Sequence, residues 1–247
     1  MAAKIVKELK GFSGNQIFLM GKHGNFFVRK IGKIDRNIER MTALSAEFPV
    51  PKIVKFSKEA IDMEYIHGLD IKTFLKTNNY RILLNFIIKI LDKFKADNII
   101  KDYSKIYKQK LNEVELAEDI VFTKDELYEK LPKTLPSGQY HGDFTLENII
   151  YSENKGFYLI DCVQIEYDSY IFDIAKMRQD LELGWFIRNE DYFEIQTKFI
   201  QQELLEKYPE AASNYILILM LLRVYKYTTR ESFERNFLTQ GINKLWK

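Results

Sequence analysis

Cysteine occurs once, at Cys162, which excludes an internal disulfide framework and a multi-cysteine zinc site. A long apolar run is also missing. The longest, Tyr215 to Leu222, is far short of the roughly 20 residues needed to span a bilayer. Neither sign of charge prevails: 37 Lys and Arg against 35 Asp and Glu leave a formal +2, whereas a dedicated nucleic-acid binder is usually more basic. No internal repeat or low-complexity tract stands out, and Met1-Ala2-Ala3-Lys4 leads into mixed charge rather than an apolar signal segment. These absences predict a soluble, cytoplasmic protein with no membrane or nucleic-acid partner.

What is present is globular. Of the 247 residues 46% are apolar and 29% charged, too apolar a mixture for disorder and enough chain for one large domain or two lobes. The pattern changes near residue 66. Before it, short β-type runs at Lys4–Lys10, Gln16–Met20 and Phe26–Ile31 are separated by Gly-containing turns, which predicts an antiparallel meander. A helical stretch over Asp35–Glu47 ends at Pro49 and Pro51, and two further strands are predicted at Ile53–Phe56 and Ala60–Tyr65. After Gly68 helical spacing takes over. Tyr80–Ile100 reads as a buried central helix, Tyr103–Leu131 as one or two amphipathic helices, and the chain from Tyr170 onward as more helix. Within this region Ile149–Tyr151 and Phe157–Ile160 flank a Glu-Asn-Lys-Gly turn and predict a small hairpin. Charge divides with the pattern, +5 over residues 1–66 and −3 over the rest. A basic small lobe suits a polyanionic cofactor.

The chemistry is concentrated in Tyr140-His141-Gly142-Asp143-Phe144-Thr145-Leu146-Glu147-Asn148 and in Leu159-Ile160-Asp161. Asn148 falls five residues after Asp143, and Asp161 eighteen after it, so Asn148 and Asp161 bracket the predicted hairpin at the same end. An amide carbonyl and a carboxylate are suitable hard ligands for Mg²⁺, which takes few ligands from protein and the rest from phosphate and water. Asp143 is available to accept a proton from an attacking hydroxyl, and phosphoryl transfer otherwise needs positioning and charge neutralisation.

This His-Gly-Asp-x₄-Asn segment, followed by an Ile-Asp strand end, resembles the aminoglycoside phosphotransferase and choline kinase family, small-molecule kinases that share the protein-kinase fold. Phe172-Asp173-Ile174-Ala175 lies twelve residues past Asp161, as a similar stretch does in choline kinases. The resemblance implies an α+β fold of two lobes: an antiparallel β-rich nucleotide-binding lobe over residues 1–66 and a mainly helical catalytic and acceptor-binding lobe over 67–247. It implies Asp143 as base, with His141 supporting its loop, and Asn148 and Asp161 as Mg²⁺ ligands. ATP or GTP would be the co-substrate. In the small lobe the phosphate loop would include Ser13, Gly14 and Asn15. Arg29 and Lys30 alternate on the third strand, so only one can face the nucleotide. The family pattern Leu-Leu-Arg-x-x-Gly favours Arg29, the protein-kinase lysine favours Lys30, and the reading prefers Arg29, braced by Glu39. The hinge would offer the Glu64 carbonyl and Ile66 amide to the purine, with Met63 behind it and Asp70 near the ribose.

Departures from protein kinases narrow the acceptor. Only twelve residues separate Asp161 from Asp173, too few for an activation and peptide-docking segment. A small hydroxyl acceptor is expected, a sugar or amino alcohol such as a building block of a surface polysaccharide. Choline, ethanolamine and aminoglycosides are the alternatives, and a silent pseudokinase-like binding module is the reading of another class. Aromatics (Trp185, Phe186, Tyr192, Phe193, Tyr215, Tyr225, Tyr227, Trp246) and the acids Glu166, Asp168, Asp180 and Glu182 are candidates for the acceptor pocket, although core packing accounts for most such aromatics.

Overall fold

The computed structural model describes residues 3–9, 14–96, 99–188 and 194–246. The alternating segments form strands β1 (Lys4–Leu9), β2 (Gln16–Lys22) and β3 (Asn25–Ile31), then helix α1 (Asp35–Leu44) and strands β4 (Ile53–Phe56) and β5 (Ala60–Glu64). Strand β6 (Leu69–Asp70) and helix α2 (Ile71–Thr77) follow, then α3 (Tyr80–Lys95), β7 (Ile99–Asp102), α4 (Ser104–Asn112), α5 (Lys124–Lys130) and β8 (Thr134–Ser137). The hairpin is β9 (Ile149–Ser152) and β10 (Gly156–Leu159), and the chain ends in α6 (Tyr170–Leu183), α7 (Glu194–Lys207), α8 (Asn214–Tyr225) and α9 (Phe233–Leu245). The fold is two-lobed, with sheet toward the N-terminus and helices toward the C-terminus, as in protein kinases.

Two compact units are present, and they do not divide at a single cut near residue 66. The first comprises Met1–Asn78, His141–Asp143 and Glu147–Ile165; the second comprises Asn79–Tyr140, Phe144–Leu146 and Glu166–Lys247. The hairpin that carries the metal-type residues therefore groups with the N-terminal sheet.

In the first unit the antiparallel order is β1-β2-β3-β5-β4. His23 and Gly24 alone connect paired Lys22 and Asn25, both with positive φ (50° and 79°). That is the two-residue turn whose hand matches strand twist, and Gly24 takes it without Cβ strain. Register places Arg29 opposite Asp62, and Lys30 opposite Ile61. A second sheet, β10-β9-β6, joins the hairpin to the residues just past the hinge, Leu69 facing Tyr151. Phe74 from α2 packs on Tyr151 and Phe157, with ring centroids 4.7 and 5.1 Å away, and the Leu159 amide donates to the Pro49 carbonyl at 2.8 Å.

In the second unit α6 is buried on every side from Tyr170 to Leu181, whereas α3 buries one stripe, Leu83, Leu84, Ile87, Ile90, Leu91 and Phe94. The buried central helix expected at Tyr80–Ile100 is thus α6 instead. Its polar residues obscured the signal, several of them being buried and bonded within the protein. Arg178, 3% exposed, donates to the carbonyls of Ala211 and Ser213 and to Glu182 and Asn214. The end of the expected helix is also corrected: Ile99 and Ile100 belong to β7, which pairs with β8. No helix among the described residues is long and apolar enough to cross a membrane.

Candidate active site

Strand alternation decides which basic residue reaches the metal-type aspartate. Lys30, 4% exposed, donates from Nζ to Asp161 Oδ1 at 2.5 Å. Arg29, on the opposite face of β3, forms a two-pronged pair with Asp62, Nε to Oδ1 at 2.6 Å and Nη2 to Oδ2 at 2.8 Å. Lys55 approaches the same carboxylate at 3.4 Å. Burial works against the Asp62 charge, but Arg29 and Lys55 outweigh it and hold its pKa below the usual carboxylate range. Lys30, rather than the preferred Arg29, is thus the base on β3 that meets Asp161. Val28, Met63 and Ile61 share the Lys30 face by register.

The two candidate positions on α1 differ in burial. Glu39 is exposed on α1, while Asn37, 5% exposed, points inward with Arg40, Met41 and Leu44. Asn37 Nδ2 donates to Asp161 Oδ1 at 3.0 Å and to the Cys162 carbonyl at 2.8 Å. No sequence expectation had named Asn37. Helical spacing carried the signal, since stepping back from Leu44 and Met41 reaches residue 37, not 39.

Asp143 and Asn148 are joined directly. Asn148 Nδ2 donates to the Asp143 carbonyl at 2.8 Å and to its Oδ2 at 3.3 Å, which leaves Asn148 Oδ1 as the end that can ligate. The Ile160 amide donates to the Asn148 carbonyl at 2.9 Å, so the two ends of the hairpin close on each other. Asp161 has φ +55°, and both side-chain donors to it, Lys30 and Asn37, use Oδ1. Asn148 Oδ1 and Asp161 Oδ2 are hard oxygens of the kind Mg²⁺ takes from protein. Among the described residues no cluster of three or more His, Cys, Asp or Glu gathers to hold a metal unaided. The donor set fits a metal that also relies on phosphate oxygens.

Gly142 stands where protein kinases have arginine, and the local geometry requires it. Its φ is +92°, and a Cβ there would lie 2.1 Å from the Val163 carbonyl oxygen. The close approach is held by the Val163 amide donating to the His141 carbonyl at 3.1 Å.

His141 is fully buried and accepts the Asp143 amide at Nδ1, 3.2 Å away, so the neutral ring carries its proton on Nε2. Burial pushes its pKa down to about 4, against the opposing charges of Asp143 and Asp161. A histidine whose folded pKa lies below its unfolded value stabilises the fold less as pH falls through that interval. Stability should therefore drop by about 3 kcal/mol between pH 6.5 and pH 4 on account of His141 alone. Urea melts of the wild type and His141→Gln at pH 7 and pH 4 check this. The variant should lose about 3 kcal/mol less than the wild type, and equal losses would remove His141 as the cause.

The remaining expected residues are placed as follows. Ser13 lies outside the described residues. Gly14 has φ +73° with open space around its Cβ position, and Asn15 Oδ1 accepts the Lys33 amide at 3.0 Å, tying that turn to the end of β3. Ile66 is buried, and Glu64 pairs through its side chain with Lys155 at 2.8 Å. Asp70 caps α2, Oδ1 accepting the Thr73 amide at 2.7 Å. In the second unit Asp173 is buried in the first turn of α6. The four acids offered for an acceptor pocket are engaged. Glu166 meets Lys110 at 3.0 Å. Asp168 accepts from Lys101, Tyr103 and Ser137. Asp180 takes the Leu146 amide at 2.7 Å and Glu182 takes Arg178. Of the aromatics, Phe186 and Tyr225 are core, Trp185 packs on Phe237, and Trp246 stacks on Phe122 and meets Tyr215 edge-on. Tyr227 is exposed, and Tyr192 and Phe193 lie outside the described residues.

The model of the phosphotransferase enzyme family matches residues 7–191, a span that takes in Lys30, the His141–Asn148 loop and Asp161. The chain belongs to the phosphotransferase enzyme family. Similar solved structures agree in fold with this phosphotransferase. A thermostable mutant of aminoglycoside phosphotransferase APH(4)-Ia superimposes with TM-score 0.71 at 12% identity, covering 99% of this chain and 94% of that one. A ternary complex of such a mutant with ADP and hygromycin B gives 0.69 at 12%, with the same coverage. LicA in complex with AMP gives 0.59 at 15%, covering 98% of this chain and 93% of that one. Sequence comparison with curated proteins finds no match. This phosphotransferase is a small-molecule kinase of two-lobed fold.

Proposed function

We propose that the protein transfers the γ-phosphoryl group of ATP or GTP to a hydroxyl of a sugar or amino alcohol. The observation that carries this reading is the direct bonding of Asn148 to Asp143, within the same compact unit as the Lys30–Asp161 pair. The acceptor oxygen forms a bond to the γ-phosphorus, the bond from that phosphorus to the β–γ bridging oxygen breaks, and its electron pair leaves with the nucleoside diphosphate. Asp143 accepts the hydroxyl proton and orients the attacking oxygen. Lys30 donates to the α- and β-phosphates. The Gly14-Asn15 turn covers the phosphates, and the hinge backbone at Glu64 and Ile66 receives the purine. Asn148 and Asp161 would hold Mg²⁺, which when bound neutralises phosphate charge.

Every acid proposed for the acceptor pocket already has a basic or N–H partner. That favours a sugar over a polycationic aminoglycoside or a quaternary ammonium, which would need an uncommitted negative surface. The test is an ADP- and GDP-release screen with Mg²⁺ over monosaccharides, polyols, choline, ethanolamine and aminoglycosides. Acceptor-dependent release with a sugar is expected. Nucleotide binding with no release from any acceptor would identify a binding module, and transfer only to a generic protein would identify a protein kinase.

A further inference from the structure

We infer that Asn37 is the positioning residue for Asp161, and that it replaces the lysine-pairing carboxylate expected on α1. The inference rests on the reading of Asp161 as a metal ligand.

Three backbone hydrogen bonds fix the segment around Asp161: Ile160 amide to Asn148 carbonyl, Val163 amide to His141 carbonyl, and Gln164 amide to Arg36 carbonyl, at 2.9, 3.1 and 2.9 Å. Between them Asp161 sits at φ +55°, uncommon for a residue with a Cβ although Asp is among those that tolerate it. Among the described residues Asn37 is a side chain that bonds at two points of this turn. Its amide nitrogen donates simultaneously to the Asp161 carboxylate and to the next carbonyl, at Cys162. One bond holds the carboxylate, and the other ties the same amide nitrogen to the backbone one residue further on. Asn37 is 5% and Cys162 0% exposed, so water does not readily replace the bond to the Cys162 carbonyl.

The chemistry at this position calls for a donor. A carboxylate at residue 37 would face Asp161 Oδ1 at hydrogen-bond distance with like charge and could not donate to the Cys162 carbonyl. Lys30 needs no acid on α1, because its counter-ion is Asp161 itself. When phosphates draw Lys30 away, Asn37 is the remaining side-chain donor holding Asp161 Oδ1, so that Oδ2 stays directed to the metal. Loss of Asn37 removes that bond and frees the Asp161 carboxylate to turn.

The test compares ADP affinity by calorimetry at saturating Mg²⁺ and in EDTA for the wild type, Asn37→Ala and the similar-sized Asn37→Leu, with thermal melting to verify folding. Both variants should weaken Mg²⁺-dependent ADP binding about tenfold or more, the range for a hydrogen bond to a charged group. Binding in EDTA should stay within about twofold, since the bonds removed act on the metal ligand. A merely structural role would weaken both equally, and that result would overturn the inference. So would unchanged Mg²⁺-dependent binding in folded variants, or a loss found in Glu39→Ala and not at Asn37. If the wild type itself binds ADP no better with Mg²⁺ than in EDTA, the metal reading fails first, which separates the two failures.

Discussion

Asp143→Ala is expected to lower kcat by about 10²–10⁴-fold, the usual contribution of a positioned general base, while ADP affinity stays within a few-fold. The separation follows from the local bonding. Asn148 has its shorter anchor on the Asp143 carbonyl at 2.8 Å, which alanine keeps, and only the longer 3.3 Å bond to Oδ2 is lost. Neither the Lys30–Asp161 pair nor the Asn37 bonds involve residue 143. The metal ligands and the phosphate contact should therefore survive substitution, and the loss should fall on the chemical step. Asp143→Asn sharpens the test because it preserves shape and removes the proton acceptor. If Asn supports turnover well above Ala, the side chain orients the acceptor rather than taking its proton. Retention of more than about a tenth of wild-type kcat by both variants would reject Asp143 as base.

Where the sequence was legible, local chemistry and global fold agreed. The meander, α1 and the hairpin were readable because their turns carry Gly and their strands alternate. Asn148 and Asp161 fall at one end of β9–β10 simply because a hairpin returns to where it starts. The segments misread were those whose partners are remote. Ile99 and Ile100 continue the apolar spacing of α3, and only pairing with Pro136 and Ser137 across the inserted helices makes them a strand. Helix α6 has almost no amphipathic signal because its charged residues are buried and bonded, so periodicity pointed to α3 instead. Gly142 looked like a departure from the kinase pattern, whereas the nearness of the Val163 carbonyl makes glycine the residue that fits.

At Arg29 and at Glu39 the family pattern and the local neighbours point to different residues. Arg29 fits the pattern, yet it faces Asp62 on the adjacent strand and is consumed there. Lys30 has apolar Ile61 across from it and so must find its counter-charge elsewhere, at Asp161. Glu39 fits by type, yet the buried stripe of α1 runs through Asn37, Arg40, Met41 and Leu44. Cross-strand pairing and helical period were both available in the sequence, and each pointed to the residue the structure selects.

Substitutions at Lys30 and Arg29 should consequently have opposite signatures. Lys30→Met keeps the aliphatic stem in its buried slot and removes the charge. It should lower kcat/KM by about 10²–10³-fold, the cost of deleting a preorganised donor to developing phosphate charge. Its effect on stability should be small, because Asp161, with its side chain 39% exposed, can take up water when the pair is broken. Arg29→Met removes nothing from the nucleotide face. It strips the two-pronged partner from Asp62, whose side chain is 3% exposed, and leaves only Lys55 at 3.4 Å. Breaking such a pair from one side costs roughly 3 kcal/mol of stability, and kcat/KM of the folded fraction should remain within a few-fold. Urea melts and steady-state kinetics on the two variants check both halves. A catalytic loss at Arg29 with a silent Lys30 would return the proposed phosphate contact to the opposite face of β3.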